Sequence, residues 1–427
     1  MKYIVAGQNK ITGKVAVSGS PLGASALVSL ALLLNDNSKI ENAPSSFGFD
    51  QLFNILVSVF SKTTRSQDGI LLVDPSVAST SPKRIKIAVD IDNEVFFALP
   101  AFIFKNIEVI LDGSSKIFNK HKNILDLLKI FGLVKETNSK NLLVIRPAII
   151  KESYYLDFRN RGGPEAFLAI LFAISLDAKI IMVNYPQDPL FKWFLGVLVD
   201  CNLNVDAGVR TNESDTVCVS TAGLPTGRVE KKVSFNDNLA AFYTFLAMGT
   251  QGDITLSQVN SQDLMPFCAK ILSWGAQIDS LSKGELRVYM QPVKYEDTVS
   301  FEVKPYPGFV ESWSYLALVF LLSRQIAMSL IFPNSSVIQV LLKELNRMGA
   351  NLDFKVLGNF VSVTSVKKSA LLAQKIILDE RELLLPYLLL SLLNKGKTVL
   401  IGGELIDSYY PGLIDNLKML GANISVG

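Results

Sequence analysis

The sequence predicts an α/β (α+β) fold of six repeated units of about 70 residues, three to a domain, with sheets outside and apolar helices inside. Three observations predict it. One segment recurs at nearly constant intervals, each interval opens with a helix that is apolar all round, and each such helix is followed by a β-rich strand. The recurrence is plainest in LSWGAQID (272–279), LNRMGANLD (345–353) and LKMLGANIS (417–425). Looser copies are LKIFGLV (128–134) and LVDCNLNVD (198–206), and LVSVFSKT (56–63) is the weakest. The equivalent positions are Ser61, Gly132, Asn202, Gly275, Gly349 and Gly421, and the steps between them are 71, 70, 73, 74 and 72 residues. Chance similarity among apolar helices does not produce near-equal steps along a whole chain.

The elements of each repeat follow in a fixed order. The apolar helices are expected at 21–35, 94–105, 164–177, 238–249, 310–324 and 381–394. Being apolar on every face, they belong in a core. Strands such as KIIMVN, DITLSQV, AMSLIF and TVLIGG come next, then a polar loop and an amphipathic helix of the type SVIQVLLKELNRMG. The closing glycine suits a left-handed helix cap, with another strand directly after it. Helices apolar all round in repeats that also carry strands imply sheets packed around a helical centre. Three repeats can close one domain, and 427 residues hold two such domains. The turn-rich STAGLPTGRVEKK (220–232) is the expected linker.

Composition narrows the function. With 49% hydrophobic and 19% charged residues the chain is globular, and a net charge of +3 is too small to argue for nucleic acid or an acidic membrane face. The densest basic patches are PKRIK (82–86) and NKHKN (119–123). The apolar helices, about 13 to 16 residues, are too short to span a bilayer. The three cysteines lack metal or disulfide spacing and suit a reducing compartment. His121 is the only histidine, which argues against a histidine metal site or a Ser-His-Asp triad. The start, MKYIVAGQNKITGK, alternates like a strand and has no signal-like apolar core. A cytoplasmic protein without metal, cofactor, nucleic-acid or membrane partner is expected.

The stretch VAVSGSPLGASALVSLALLLND (15–36) reads as a strand over 15–18, a Gly-Ser turn and a helix start, a place where backbone N–H groups can hold an anion. No cation lies between Lys14 and Lys39 to seal an anion there. Arg159 and Arg161, beside the Gly-Gly helix entrance of RNRGGPEAFL (159–168), form the best anion site on physical grounds.

Six such repeats, together with KYIVAGQNKITGKVAVSG at the start, KPYPGF (304–309), ELNRMGA (344–350) and LGANI near the end, resemble the enolpyruvyl transferase family. These strings favour its UDP-N-acetylglucosamine branch, whereas ILDGSSK (110–116) and SGS (18–20) look more like the 3-phosphoshikimate (EPSP synthase) branch. The resemblance implies a two-domain inside-out α/β barrel, with residues 20–230 in one domain, 1–19 plus 231–427 in the other, and substrates held between them. It implies transfer of the enolpyruvyl group of phosphoenolpyruvate to an acceptor hydroxyl, with release of phosphate. That chemistry asks for cations on phosphate and carboxylate, an acid and a base.

Carried over residue by residue, the resemblance leaves remnants and losses. Glu311 stands at the general-base aspartate, one methylene longer and preceded by the matching Tyr306, Pro307 and Gly308. Arg381, in the retained Asp379-x-Arg381 pair, stands at an arginine that grips phosphoenolpyruvate; the bland alternative is an Asp379 helix cap with a structural arginine. Glu165 is kept in the acceptor-contacting segment, while Gly163 and Pro164 replace polar residues. Pro21 occupies the turn lysine, Ser114 the loop acid, Asn119 a loop arginine, and Ser408 a second anchoring arginine. Asp237 and Leu239 stand where an arginine and a glutamate are expected. Lys116, Lys120 and Lys122 are spare cations in a mobile basic loop, with Lys120 the nearest substitute. The resulting expectation is a degenerate paralogue that binds a small anion, a nucleotide sugar or a protein partner; the alternative is an active transferase with rearranged cations.

Overall fold

In the computed structural model, residues 1–77, 83–89, 92–136, 141–159, 161–211, 214–221, 226–282, 284–290, 298–365 and 371–427 are described. Among them lie six four-stranded sheets that share one plan. In the second repeat, Arg84–Ala88 runs parallel to Glu108–Asp112, which pairs antiparallel with Asn141–Val144, which pairs with the edge strand Val134–Glu136. The third repeat arranges Ser153–Asp157, Lys179–Val183, Ser214–Ser220 and Asn204–Thr211 in the same way. So does the fifth, with Val299–Glu302, Met328–Pro333, Phe360–Ser365 and Asp353–Leu357. A parallel pair needs a long crossover. The apolar helix supplies it, as Gly163–Ser175 does between Ser153–Asp157 and Lys179–Val183.

The remaining three sheets are completed from distant sequence. Glu230–Lys232 takes the first place beside Ser38–Glu41 in repeat one, and Thr12–Ala16 takes it beside Asp253–Ser257 in repeat four. Lys2–Ala6 lies between Lys397–Ile401 and Asn423–Val426 in repeat six. The chain thereby divides into two compact units, Met1–Ser18 with Phe235–Gly427, and Gly19–Ser234. Each has its own apolar core. Residues 231–234 thus fall in the other unit from the one suggested by sequence, because their strand pairs with Ser38–Glu41. Only the ends of the expected linker are in strands: Ser220 ends one and Glu230–Lys232 forms another, while residues 222–225 lie outside the described residues, as does Pro82 of the basic patch.

The apolar helices occupy Pro21–Leu33, Leu99–Phe104 (extended by a 3-10 turn from Glu94), Gly163–Ser175, Asp237–Gly249, Glu311–Ser323 and Leu384–Leu393. All but their first turns are buried: Ala24, Ala169, Phe242, Leu318 and Leu389 have no exposed surface. At about 25 cal/mol for each Å² of apolar surface removed from water, such burial dominates the stability of both units. Amphipathic helices such as Ser336–Arg347 cover the ends, burying Ile338, Leu341, Leu342 and Leu345. The recurring cap is left-handed at Gly132, Gly275, Gly349 and Gly421, and also at Asn202, which tolerates that conformation better than most residues. Ser61 does not adopt it, so the weakest copy departs from the pattern. The strand ahead of the first apolar helix also differs, running from Thr12 to Ala16 rather than over 15–18.

Candidate functional site

Glu311 is the first residue of the helix Glu311–Ser323, entered through an extended Val310. Residues four apart share a helix face, so Tyr315 stands over it. The Tyr315 hydroxyl donates to Glu311 Oε1, and Ser335 Oγ, the cap of the next helix, donates to the same atom at 3.2 Å. Tyr315 is buried against Phe332, and that burial, reinforced by the bond to Glu311, pushes its phenol well above the usual range. The neutral phenol is therefore a standing donor. Two residues along the same helix, Trp313 packs on Phe267 and Phe309 with ring centroids 5.2 and 5.9 Å away. Among the described residues Glu311 Oε2 accepts no hydrogen bond, and it is the oxygen available to take a proton.

Arg381 opens a 3-10 turn that leads into Leu384–Leu393, and its guanidinium lies 4.9 Å from the centre of the Tyr409 ring. A planar cation over an aromatic face keeps its fork of donors at the rim. Asp379 does not cap this turn. Glu380 occupies the cap position without a side-chain bond, and Asp379 is exposed. Ser408, on the helix Gly403–Tyr409, donates back to the Glu404 carbonyl at 2.7 Å. Next to it, Asp407 accepts from Tyr3 at 2.8 and 2.6 Å.

In the other compact unit, Arg159 and Arg161 line a pocket of about 380 Å³ with Asn123, Asp126 and Asp157. The arginines are less available than the sequence suggested. Arg159 is paired with Asp157 at 3.1 Å, and Arg161 donates to the Asn123 carbonyl at 3.4 Å. The Asn184 side chain, the Arg159 N–H and the Arg159 guanidinium together hold the Asp157 carboxyl below the usual range. Two arginines and two aspartates make the lining neutral in sum. Glu165 sits in the first turn of the adjoining helix, buried, and among the described residues its Oε2 has no hydrogen-bond partner. It lies so close to Gly162 that an added Cβ there would come within 2.8 Å of it.

The expected basic loop is not wholly a loop. Ser115–Lys120 forms a short helix capped by Ser114, whose Oγ accepts from the Ile117 N–H at 3.3 Å. Lys116, Asn119 and Lys120 are exposed on it, and neither lysine lines the arginine pocket. His121 follows, buried edge-on to Phe96 at 5.1 Å. Pro21 is the first residue of its helix, behind Ser20, whose Oγ accepts from the Gly23 N–H at 3.3 Å. Asp237 opens its helix next to the Asn236 cap, which accepts from Asn238 and Leu239 at 3.1 and 3.3 Å. Burial pushes the Cys201 and Cys268 thiols up to about 11, as small interior hydrophobes require.

The structure thus brings Glu311 together with Tyr315 and Ser335, Arg381 with Tyr409, and Arg159 with Arg161. The sequence reading missed Tyr315, Ser335, Tyr409, Asn123, Asp126 and Asp157. Only Tyr315 carried a local signal, its spacing of four from Glu311.

Comparison with known proteins agrees over the full chain. No family model matches. A UDP-N-acetylglucosamine 1-carboxyvinyltransferase from Nocardia farcinica is 24% identical over 442 aligned residues, covering 98% of this chain and 97% of that protein. One from a Nostoc species is 25% identical, covering 98% and 92%. Among solved structures, the enolpyruvyl transferase NikO from Streptomyces tendae superposes with a TM-score of 0.82 at 15% identity, covering 99% of this chain and 98% of its own. EPSP synthase from Acinetobacter baumannii follows at 0.70 and 13%, with both chains covered entirely. Six repeats on a shared sheet plan, sequence similarity over the full length and a common fold are what this chain shares with the enolpyruvyl transferases.

Proposed function

We infer that this chain is a catalytically degenerate relative of the UDP-N-acetylglucosamine 1-carboxyvinyltransferases, keeping the fold to bind a ligand or a protein partner. One observation carries the reading: positions where the resemblance implies charge serve local helix bonding instead. Pro21 starts a helix, Ser114 caps one and Ser408 bonds back along a third. A proline and two serines supply neither a cation for phosphate nor an acid near neutral pH. Losses of this kind each typically cost orders of magnitude in rate, and relocated groups rarely restore them together. The neutral lining of the arginine pocket also supports it, since a phosphorylated ligand would meet Asp126 and Asp157 as well as the arginines. The cytoplasm is the compartment that suits three free cysteines.

A second reading, an active transferase with rearranged cations, draws on Glu311 and Arg381. A carboxylate held by two hydroxyls through one oxygen is a positioned base, and an arginine stacked on tyrosine is a positioned anchor. The deciding experiment is phosphate release from phosphoenolpyruvate by the purified protein, with UDP-N-acetylglucosamine and 3-phosphoshikimate offered in turn. The degenerate reading expects background from a demonstrably folded protein. Release that is lost in Arg381→Ala or Glu311→Gln establishes the active transferase instead.

A further inference from the structure

The six sheets are alike in plan but not in the charge of their outward positions. In the sheet of repeat one these carry Glu41 and Glu230; in repeat two, Glu108 and Asp112; in repeat three, Asp157 and Asp206. Repeat four has Asp253, Asp279 and Glu285, and repeat five has Glu302 and Asp353. Several are tied across strands to a base, as Asp253 is to Arg287 (2.6 Å) and Asp112 to Lys86 (2.7 Å).

The sheet of repeat six has no carboxylate among its outward positions. The register sets Ile377, Ile401 and Lys2 in one row; Lys375, Val399, Ile4 and Ser425 in the next; and Lys397, Ala6 and Asn423 in the third. Lys2, Lys375 and Lys397 are exposed, and none forms an ion pair among the described residues. Ile377 is 61% exposed, with Ile401, Val399 and Ile4 half-buried beside it. Glu404, just beyond the strand Lys397–Ile401, is taken by the N-terminal amine at 2.7 Å.

We propose that this face is a docking surface for an anionic lipid membrane. Charge complementarity supplies the attraction, since three lysines stand on one sheet whose outward positions carry no acidic side chain. Their long stems lift the ammonium groups to phosphate level while the aliphatic row lies flat between them. The central positions are aliphatic, and Ser425 and Asn423 lie only on the edge strand, so the face offers little of the directional bonding a folded acidic partner needs for register. This goes beyond the expectation of no membrane contact, which rested on overall charge and on apolar helices too short to span; no described helix is long and apolar enough to cross a membrane, and surface docking needs none.

The test is co-sedimentation of the full chain with vesicles of phosphatidylcholine alone and of an equal mixture of phosphatidylcholine and phosphatidylglycerol. Wild type should bind the anionic vesicles, release them as salt is raised, and ignore the neutral ones. At about fivefold per lysine, the triple variant Lys2→Glu, Lys375→Glu, Lys397→Glu should weaken binding on the order of a hundredfold. The triple Lys39→Glu, Lys86→Glu, Lys355→Glu changes net charge equally on other sheets and should bind like wild type. Circular dichroism checks folding, and Lys→Gln at Lys2, Lys375 and Lys397 serves if the glutamates unfold the chain. No binding by wild type, binding retained after substitution of the three lysines, or equal loss in both triples overturns the proposal. The first of these outcomes turns attention to an acidic protein partner.

Discussion

The cluster around Glu311 and the pocket around Arg161 both sit at the start of an apolar helix, yet they are built in opposite ways. Glu311 is held by two hydroxyls, one of them on Tyr315, which is itself buried against Phe332. The arginines of the pocket are held by surface groups, with the Arg159 side chain 73% exposed and its partner Asp157 43%. The difference teaches where chemistry can persist in this chain. A side chain oriented by a dry, packed shell keeps its geometry, whereas an exposed ion pair is screened and easily replaced. Each of the following measurements, made by chemical denaturation, probes that contrast.

Trp313→Ala should have the largest effect, about 3–5 kcal/mol of lost stability, because it empties the buried space packed against Phe267 and Phe309 in the helix that carries Glu311. Tyr315→Phe removes one donor to Glu311 and keeps the ring, so about 1–2 kcal/mol is expected. Ser335→Ala removes both a helix cap and the second donor, at about 1 kcal/mol. Arg161→Ala should stay within about 0.5 kcal/mol. If Arg161→Ala costs as much as Tyr315→Phe, the contrast between the two regions is broken.

The smallest expected effect is a pH dependence. The Asp157 carboxyl is held below its unfolded value, so its contribution is present above about pH 4 and fades as pH falls through its lower folded value. Asp157→Asn should therefore lower stability slightly above about pH 4, leave it unchanged at strongly acid pH, and so flatten the acid limb of the profile. A loss confined to acid pH runs against this assignment.

The repeat was legible because its signals are local. Helices apolar on every side, strands after them, and a left-handed cap at near-equal steps are properties of short windows. They located all six core helices to within a few residues of Pro21–Leu33, Glu94–Phe104, Gly163–Ser175, Asp237–Gly249, Glu311–Ser323 and Arg381–Leu393. The candidate site was legible only in part. Glu311 and Arg381 stood out by resemblance, but their partners Tyr315, Ser335 and Tyr409 come from other turns or elements. The pairing of Arg159 with Asp157 was likewise unread, although the two are only two residues apart, since nothing in their spacing says which way a surface arginine turns.

The sequence by itself determined the six-fold order of helix and strand, the burial of the first helix in each repeat, and which residues stand at the helix starts. These follow from periodicity and from the residue types that caps accept. Only the tertiary structure decided that Lys2–Ala6 joins the sixth sheet, that Thr12–Ala16 joins the fourth, and that Glu230–Lys232 closes the first. Strand pairing across hundreds of residues is selected by the face each strand can bury and by the register open to it. Neither is written in the strand's own few residues.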